Sequence, residues 1–453
     1  MQVHQDKQLG DSASPSEASL ASPSSSPSPE SPKRSISHEG SKLFHTAVYL
    51  VKWLLLGSFV GLLAGSASAL FLWSLDVATA ARLQQPWLLY LLPVSGLLVG
   101  WLYREYGGSA GRGNNLILES IHEGRERIPL RMAPLVLVGT VLTHLTGGSA
   151  GREGTAVQMG GSLAWLAGTL TRSGPADRRI LLMCGIAGGF GSVFGTPLAG
   201  AVFGLEVLAI GMFRHSALYP CLIAALVGDA VTRAWGISHA VYRIGEVPAL
   251  SLSALAQAAI AAVLLGLVAR LFIRSVHAVR ATAARLIAST PLRAAAGGIA
   301  VILLTAAVGS RDYLGLSLPL MEASFQSAGS VDPLAWLWKL AFTALTLGAG
   351  FQGGEVTPLF VIGSTLGHAM AMILSLPAPL LAGLGLVGLF SASANTPLAC
   401  FILGLELFGA DAAVYLFVVS VISYLCSGHT GIYTSQRLVT RKDGRGDERV
   451  GDG

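Results

Sequence analysis

The segment Thr196-Pro-Leu-Ala-Gly-Ala-Val-Phe-Gly-Leu-Glu206 recurs as Thr396-Pro-Leu-Ala-Cys-Phe-Ile-Leu-Gly-Leu-Glu406, at an offset of 200 residues. Upstream of each copy lies a glycine-rich break carrying a glutamate, Gly151-Arg-Glu-Gly-Thr155 and Gly353-Gly-Glu-Val-Thr357, at an offset of 202. Two different motifs in one order at nearly one spacing describe two homologous halves, about 44–235 and 250–435. The medium of these halves follows from their charge. Residues 1–42 and 437–453 hold 18 of the 55 Asp, Glu, Lys and Arg, leaving 37 for the 394 residues between them. A soluble chain carries about 25% charged residues, whereas this one has 12%, with 52% hydrophobic residues and a mean hydropathy of +0.61. The middle of the chain is an all-α polytopic membrane protein embedded in a lipid bilayer.

Other classes fall away on the same numbers. A net charge of +5 spread over many loops makes no concentrated basic patch, so nucleic acid is not a partner. Cys184, Cys221, Cys400 and Cys426 sit in apolar runs without CxxC spacing and read as small core residues. His144, His368 and His429 have no partner at ligand spacing, so no metal is expected. Gly185-Ile-Ala-Gly-Gly189 lacks the strand-then-helix context of a dinucleotide site, and no cofactor is expected. With no His-Glu-x-x-His, an intramembrane enzyme is a poor alternative, and the chain is read as not an enzyme.

The tails and spans can be bounded. Residues 1–42 contain 13 Ser and 5 Pro and are expected to be a disordered tail, with no apolar signal-peptide core. A charged tail is expected over 439–453, with no room after Ser435 for a regulatory domain. The membrane domain is assigned to 43–438. Some of its apolar segments, such as 46–75 and 254–273, can cross a hydrocarbon core. Others, such as 134–146, 336–347 and 380–390, stop short in glycine-rich stretches. Irregular backbone at membrane depth is tolerated only against protein or a water-filled cavity, so broken helices in repeated halves point to a transport site at the repeat interface.

Charges at membrane depth are functional candidates by default. Between Ala133 and Thr171 the only ones are Arg152 and Glu153; between Pro333 and Ser435 they are Lys339, Glu355, Glu406 and Asp411. Glu153 follows freed glycine backbone and precedes an apolar helix, which places it at a helix N-terminus, a setting that attracts anions. A carboxylate tethered there can occupy an anion's place and leave when protonated. It can also simply cap its helix and pair with Arg152. Glu206 and Glu406, at matching repeat positions, suit structural pairing.

Gly151-Arg-Glu-Gly-Thr155, the paired Thr-Pro-Leu-Ala segments and Gly431-Ile-Tyr-Thr434 stand in the order of the CLC chloride channel and transporter family, which the chain resembles over about 44–438. Its details are most similar to the bacterial fluoride-exporting branch: Thr155 after Arg-Glu-Gly, Gly113-Asn114-Asn115 in the first anion loop, and Gly354-Glu355-Val356-Thr357-Pro358 in the second half. The resemblance implies a CLC-like fold of two inverted repeats and a homodimer in the cell inner membrane with cytoplasmic termini. It implies Glu153 as the gating glutamate and Glu355 as a second coupling carboxylate. It places Asn114, Thr357 and Tyr433 on the anion, with Gly113, Gly154 and Val356 beside them. Each has a plainer reading: Tyr433 as an interfacial aromatic, Asn114 and Thr357 as caps or turns, Glu355 as a cap of its own helix.

There are departures. Val207 stands where proton-coupled chloride relatives carry an inward-facing glutamate, a lack the fluoride branch shares. Arg112 stands near their anion-contacting serine, where it could draw anions in or snorkel to the interface. The implied function is export of cytosolic fluoride in exchange for protons. The alternative on the same scaffold is a passive anion channel or chloride/proton exchanger, with chloride as the ion.

Overall fold

A computed structural model of the chain describes residues 33–124 and 127–442. Residues 1–32 of the expected N-terminal tail and 443–453 of the charged tail lie outside the described residues. Among the described residues the backbone is helical from Lys33, upstream of the apolar run. Pro32 cannot lie inside a helix, and no further proline follows until Pro86, so nothing stops the helix from extending upstream of the apolar run.

The first half runs α1 (Lys33–Gln84), α2 (Leu92–Leu102), α3 (Asn114–Glu123), α4 (Met132–Leu145), α5 (Glu153–Leu170), α6 (Pro175–Phe194), α7 (Pro197–Glu206) and α8 (Leu218–Ala234). The second runs α9 (Leu252–Leu286), α10 (Thr290–Val308), α11 (Leu318–Ser324), α12 (Ala335–Ala349), α13 (Val356–Met370), α14 (Ala378–Ala394), α15 (Pro397–Phe408) and α16 (Ala413–Cys426). Each element of one half has a counterpart in the other. Contacts group the chain into two units, through Leu50 and from Val51 onward, and the site lies in the second. Among the described residues, five helical stretches are long and apolar enough to cross a membrane, including 252–286 and 290–308. The broken segments are α4, α12 and α14, shorter than a bilayer requires.

The repeated Thr-Pro-Leu-Ala motif is a helix break. α6 ends at Gly195 in the left-handed region (φ 72°), Thr196 leaves the helical region (φ −125°, ψ 73°), and Pro197 starts α7. α14 ends the same way at Asn395 (φ 58°), followed by Thr396 and Pro397. Gly, or Asn in its place, closes one helix, and Pro, whose missing N–H is no loss in a first turn, opens the next. The new N-termini are capped from the other half. Glu206 Oε1 and Oε2 accept from the N–H groups of Leu398 and Ala399 at 3.0 and 2.7 Å, and Glu406 accepts from Leu198 and Ala199 at 2.9 and 2.7 Å. Reciprocal contacts of this kind are the mark of a two-fold axis. The C-terminal end of each helix lies at the N-terminus of the other, so α7 and α15 run antiparallel and the halves are inverted.

Glycines set how closely the helices pack. A Cβ added to Gly160 of α5 would fall 2.2 Å from the carbonyl oxygen of Gly185 in α6, and one on Gly363 of α13 would fall 2.2 Å from that of Gly385 in α14. Both halves thus use the same backbone-to-backbone crossing beside the site. An aromatic stack joins them: the ring of Phe190 lies 4.3 Å from Phe203 and 6.0 Å from Phe390. After Tyr433 the chain returns as β2 (Arg437–Leu438), paired in parallel with β1 (Ala209–Ile210) just beyond α7.

Candidate functional site

The two glycine-rich breaks meet. Gly151 and Gly354 exchange backbone hydrogen bonds of 2.7 Å in both directions, an isolated antiparallel bridge that brings the N-termini of α5 and α13 face to face. A side chain on either residue would collide with the partner loop: a Cβ on Gly151 would lie 2.9 Å from the Gly354 oxygen, and one on Gly354 would lie 2.8 Å from the Gly154 nitrogen. The first loop is braced from two sides. His144 of α4 places its ring nitrogens on the carbonyls of Thr140 and Ala150, at 2.9 and 3.1 Å. On α12, Thr343 meets the Ser149 hydroxyl at 2.9 Å, and Thr346 accepts from the Ser149 N–H at 3.1 Å.

Glu153 begins α5 and is fully buried. Its carboxylate crosses to the other repeat: Oε2 accepts from the Thr357 N–H at 2.9 Å, and the Thr357 hydroxyl donates to Oε1 and Oε2 at 2.6 and 2.7 Å. Arg152 contributes its own N–H to Oε2 at 3.2 Å, with Nε 3.6 Å from Oε1. The carboxylate thus rests on the positive end of α13, where exposed N–H groups would otherwise face an anion. Both readings of Glu153 have a geometric counterpart, because it pairs with Arg152 while reaching across the repeat interface.

The other candidates divide around it. A cavity of about 470 Å³ is lined by Gly113, Asn114, Glu355 and Tyr433. Its wall also carries Arg104, Arg112, Arg280 and Arg293 against the single carboxylate of Glu355, which makes it electropositive. Arg112 is ion-paired with Glu119. Glu355 occupies the N-cap position of α13, yet its side chain makes no capping bond, so it does not cap its own helix. Tyr433 is buried with its ring edge toward Phe203, 6.2 Å between centroids. The amide oxygen of Asn114 is buried without a partner. Thr357 lines a second, much smaller cavity of about 20 Å³ together with Arg152. Gly154 sits where a Cβ would press 3.2 Å from Asn114 Nδ2, and Val356 is buried at the start of α13.

The model of the voltage gated chloride channel family matches residues 95–428. The chain belongs to the CLC family. It is 50% identical over 396 residues to a chloride/fluoride channel protein of Pseudomonas syringae pv. tomato, covering 86% of this chain and 87% of that protein. It is 27% identical to an H(+)/Cl(-) exchange transporter ClcA of Cronobacter sakazakii, over 78% of this chain and 81% of the other. A crystal structure of a CLC-type fluoride/proton antiporter superposes with a TM-score of 0.82 at 35% identity, covering 86% of this chain and 98% of that one. In fold it also matches a slow cyanobacterial Cl-/H+ antiporter, with a TM-score of 0.73 and 23% identity over 84% and 96% of the two chains.

Motif reading does not reach everything in this CLC protein. The Gly151–Gly354 bridge is invisible in one dimension, although matching glycines in two duplicated breaks were its available signal. Gln158 also lines the 470 Å³ cavity. Its sequence signal was a lone amide in a helix otherwise built of small and apolar residues. Lys339, singled out only as a charge at membrane depth, is fully buried, and its ammonium donates to the carbonyls of Tyr313 and Gly315 and to the Ser317 hydroxyl at 3.2, 2.8 and 2.8 Å. It holds the loop between α10 and α11 and lines neither of the two cavities.

Proposed function

We propose that this CLC protein is a fluoride/proton antiporter that exports cytosolic fluoride in exchange for inward proton movement. The observation that carries the reading is the Glu153 carboxylate seated on the N–H and hydroxyl of Thr357, two residues along the chain from Glu355, which lines a cavity with Asn114 and Tyr433. A carboxylate in that seat imitates a bound anion. Protonation removes its charge and weakens its hold on the helix terminus, and an anion can then take its place. Proton and anion therefore exchange at one position.

Fluoride suits the donors. It is small and strongly hydrated, so a path must replace its water with aimed N–H and O–H groups, and the Asn114 amide, the Thr357 and Tyr433 hydroxyls and backbone at Gly113, Gly154 and Val356 offer them. Glu355, the one carboxylate on the wall of that cavity, is the candidate relay for the proton. The direction of transport follows from acid–base chemistry: neutral HF crosses membranes, dissociates near neutral pH and leaves the anion trapped inside, so a proton gradient can drive it out. We propose further that it works in the cell inner membrane as a homodimer with both termini cytoplasmic.

One observation favours a second reading. Val207 closes α7 and is buried where an inner carboxylate would serve a chloride/proton exchanger, which leaves room for a passive anion channel. Liposomes carrying the purified protein and an imposed proton gradient separate the two, with fluoride and chloride followed by electrodes. Uphill fluoride movement with chloride largely excluded supports antiport. Flux that ignores the proton gradient supports a channel.

A further inference from the structure

We infer that Gln158 is a further specificity-determining residue of the anion path, its side-chain amide donating to a partly dehydrated fluoride beside Asn114. The inference rests on the fluoride reading above and goes beyond it, since it assigns a ligand from within α5 itself.

Gln158 stands four residues after Gly154 and so shares its helix face, one turn below the end where Glu153 sits. It is 7% exposed, and what exposure it has opens into the 470 Å³ cavity. Its side-chain amide has no hydrogen-bond partner among the described residues, and it is open to the cavity, where its N–H groups can meet an ion. Two glycines leave room for two side-chain amides: a Cβ on Gly113 would fall 3.3 Å from Gln158 Nε2, just as one on Gly154 would fall 3.2 Å from Asn114 Nδ2. Both amides line the cavity that Tyr433 and Glu355 also line.

A neutral amide is suited to this position. It offers two N–H donors without the fixed positive charge that would trap the ion, and a file of such donors lets an anion enter and leave. A small, hard anion depends on close donors to replace its water more than a larger, softer one does. Losing one donor therefore weakens fluoride more than chloride.

The test is efflux from liposomes holding the full chain, read with fluoride and chloride electrodes, for wild type, Gln158→Leu and Gln158→Glu. Gln158→Leu is expected to raise the KM for fluoride and to lower the fluoride-to-chloride flux ratio about tenfold, the size of one hydrogen bond to a charged group. Proton coupling should stay intact, since Glu153 is untouched. Gln158→Glu keeps size and shape but turns a donor into an anionic acceptor, so fluoride flux should be lost near neutral pH and recover on acidification. If the leucine variant does not reconstitute, the glutamate variant decides alone. A fluoride-selective wild type with an unchanged ratio in Gln158→Leu, or with unchanged neutral flux in Gln158→Glu, overturns the assignment of Gln158. A wild type that passes chloride as readily as fluoride instead overturns the fluoride reading on which it rests.

Discussion

Glu153, the first residue of α5, is hydrogen-bonded to Thr357 in the first turn of α13 of the other repeat, through the backbone N–H at 2.9 Å and the hydroxyl at 2.6 Å. The contact ties a fully buried carboxylate to the place where two helix N-termini converge. A bond between repeats is a natural hinge for a gate, because its rupture need not unfold either half.

Removing the hydroxyl alone should loosen that gate. Thr357→Val keeps the shape of the side chain and the backbone donor but deletes a charge-assisted bond worth about 1.5–3 kcal/mol. Anion leak in the absence of a proton gradient should rise by about tenfold or more, while Thr357→Ser should behave like the parent. Equal leak from the valine and serine variants would show that the hydroxyl does not hold the carboxylate.

The reciprocal caps make a separate prediction about stability. Glu206→Ala and Glu406→Ala each strand two N–H groups at a helix start, a loss of about 1–3 kcal/mol when the groups are buried. Glu206 is 8% exposed and Glu406 is more open, so Glu206→Ala should lower the Tm in detergent by more. The fluoride-to-proton ratio should not change in either. A ratio that moved would mean that the caps take part in transport.

Close helix crossings should tolerate no added methyl. Gly363→Ala forces a Cβ to within 2.2 Å of the Gly385 oxygen, and the backbones must part. Overpacking of this sort costs about 1–3 kcal/mol. Gly111→Ala, where nothing lies within 4 Å, serves as the control and should be silent in the same unfolding measurement.

The segment after Tyr433 should hold more firmly as pH rises. Lys442 lies beyond the membrane helices, its ammonium donating to Asn395, to the Tyr424 carbonyl and to Ser427 at 2.6, 2.8 and 3.0 Å. Burial lowers its pKa to about 7, against about 10.4 for a free lysine. The undocked segment therefore binds more protons between those values, and docking gains strength as pH climbs from about 7 toward 10 and is weakest below 7. Hydrogen-exchange protection factors over 436–442 should increase between pH 7 and 9. A decrease over that range would reverse the account.

Much of the fold was readable from the chain itself. The duplicated motifs predict paired elements, and the short apolar segments predict helices that stop within the membrane, because Gly or Asn followed by Thr-Pro is a local signal. Glu153 and Glu355 stand out for a similarly local reason, a charge where charge is expensive. What depends on pairing across some 200 residues was not readable: the Gly151–Gly354 bridge, the direction in which the Glu153 carboxylate turns, and which repeat Glu206 and Glu406 would cap. The start of α1 at Lys33 was not readable from composition either, because serine lowers helix propensity without forbidding a helix.

The central claim is that Glu153 exchanges a proton for an anion at the Thr357 seat. It is tested most directly by comparing wild type with Glu153→Gln in liposomes under an imposed proton gradient, with fluoride and proton movement recorded together. The account predicts uphill fluoride transport with matching proton uptake in the wild type, and loss of that coupling in a variant that cannot ionise. Proton-coupled fluoride transport that survives in Glu153→Gln would contradict it.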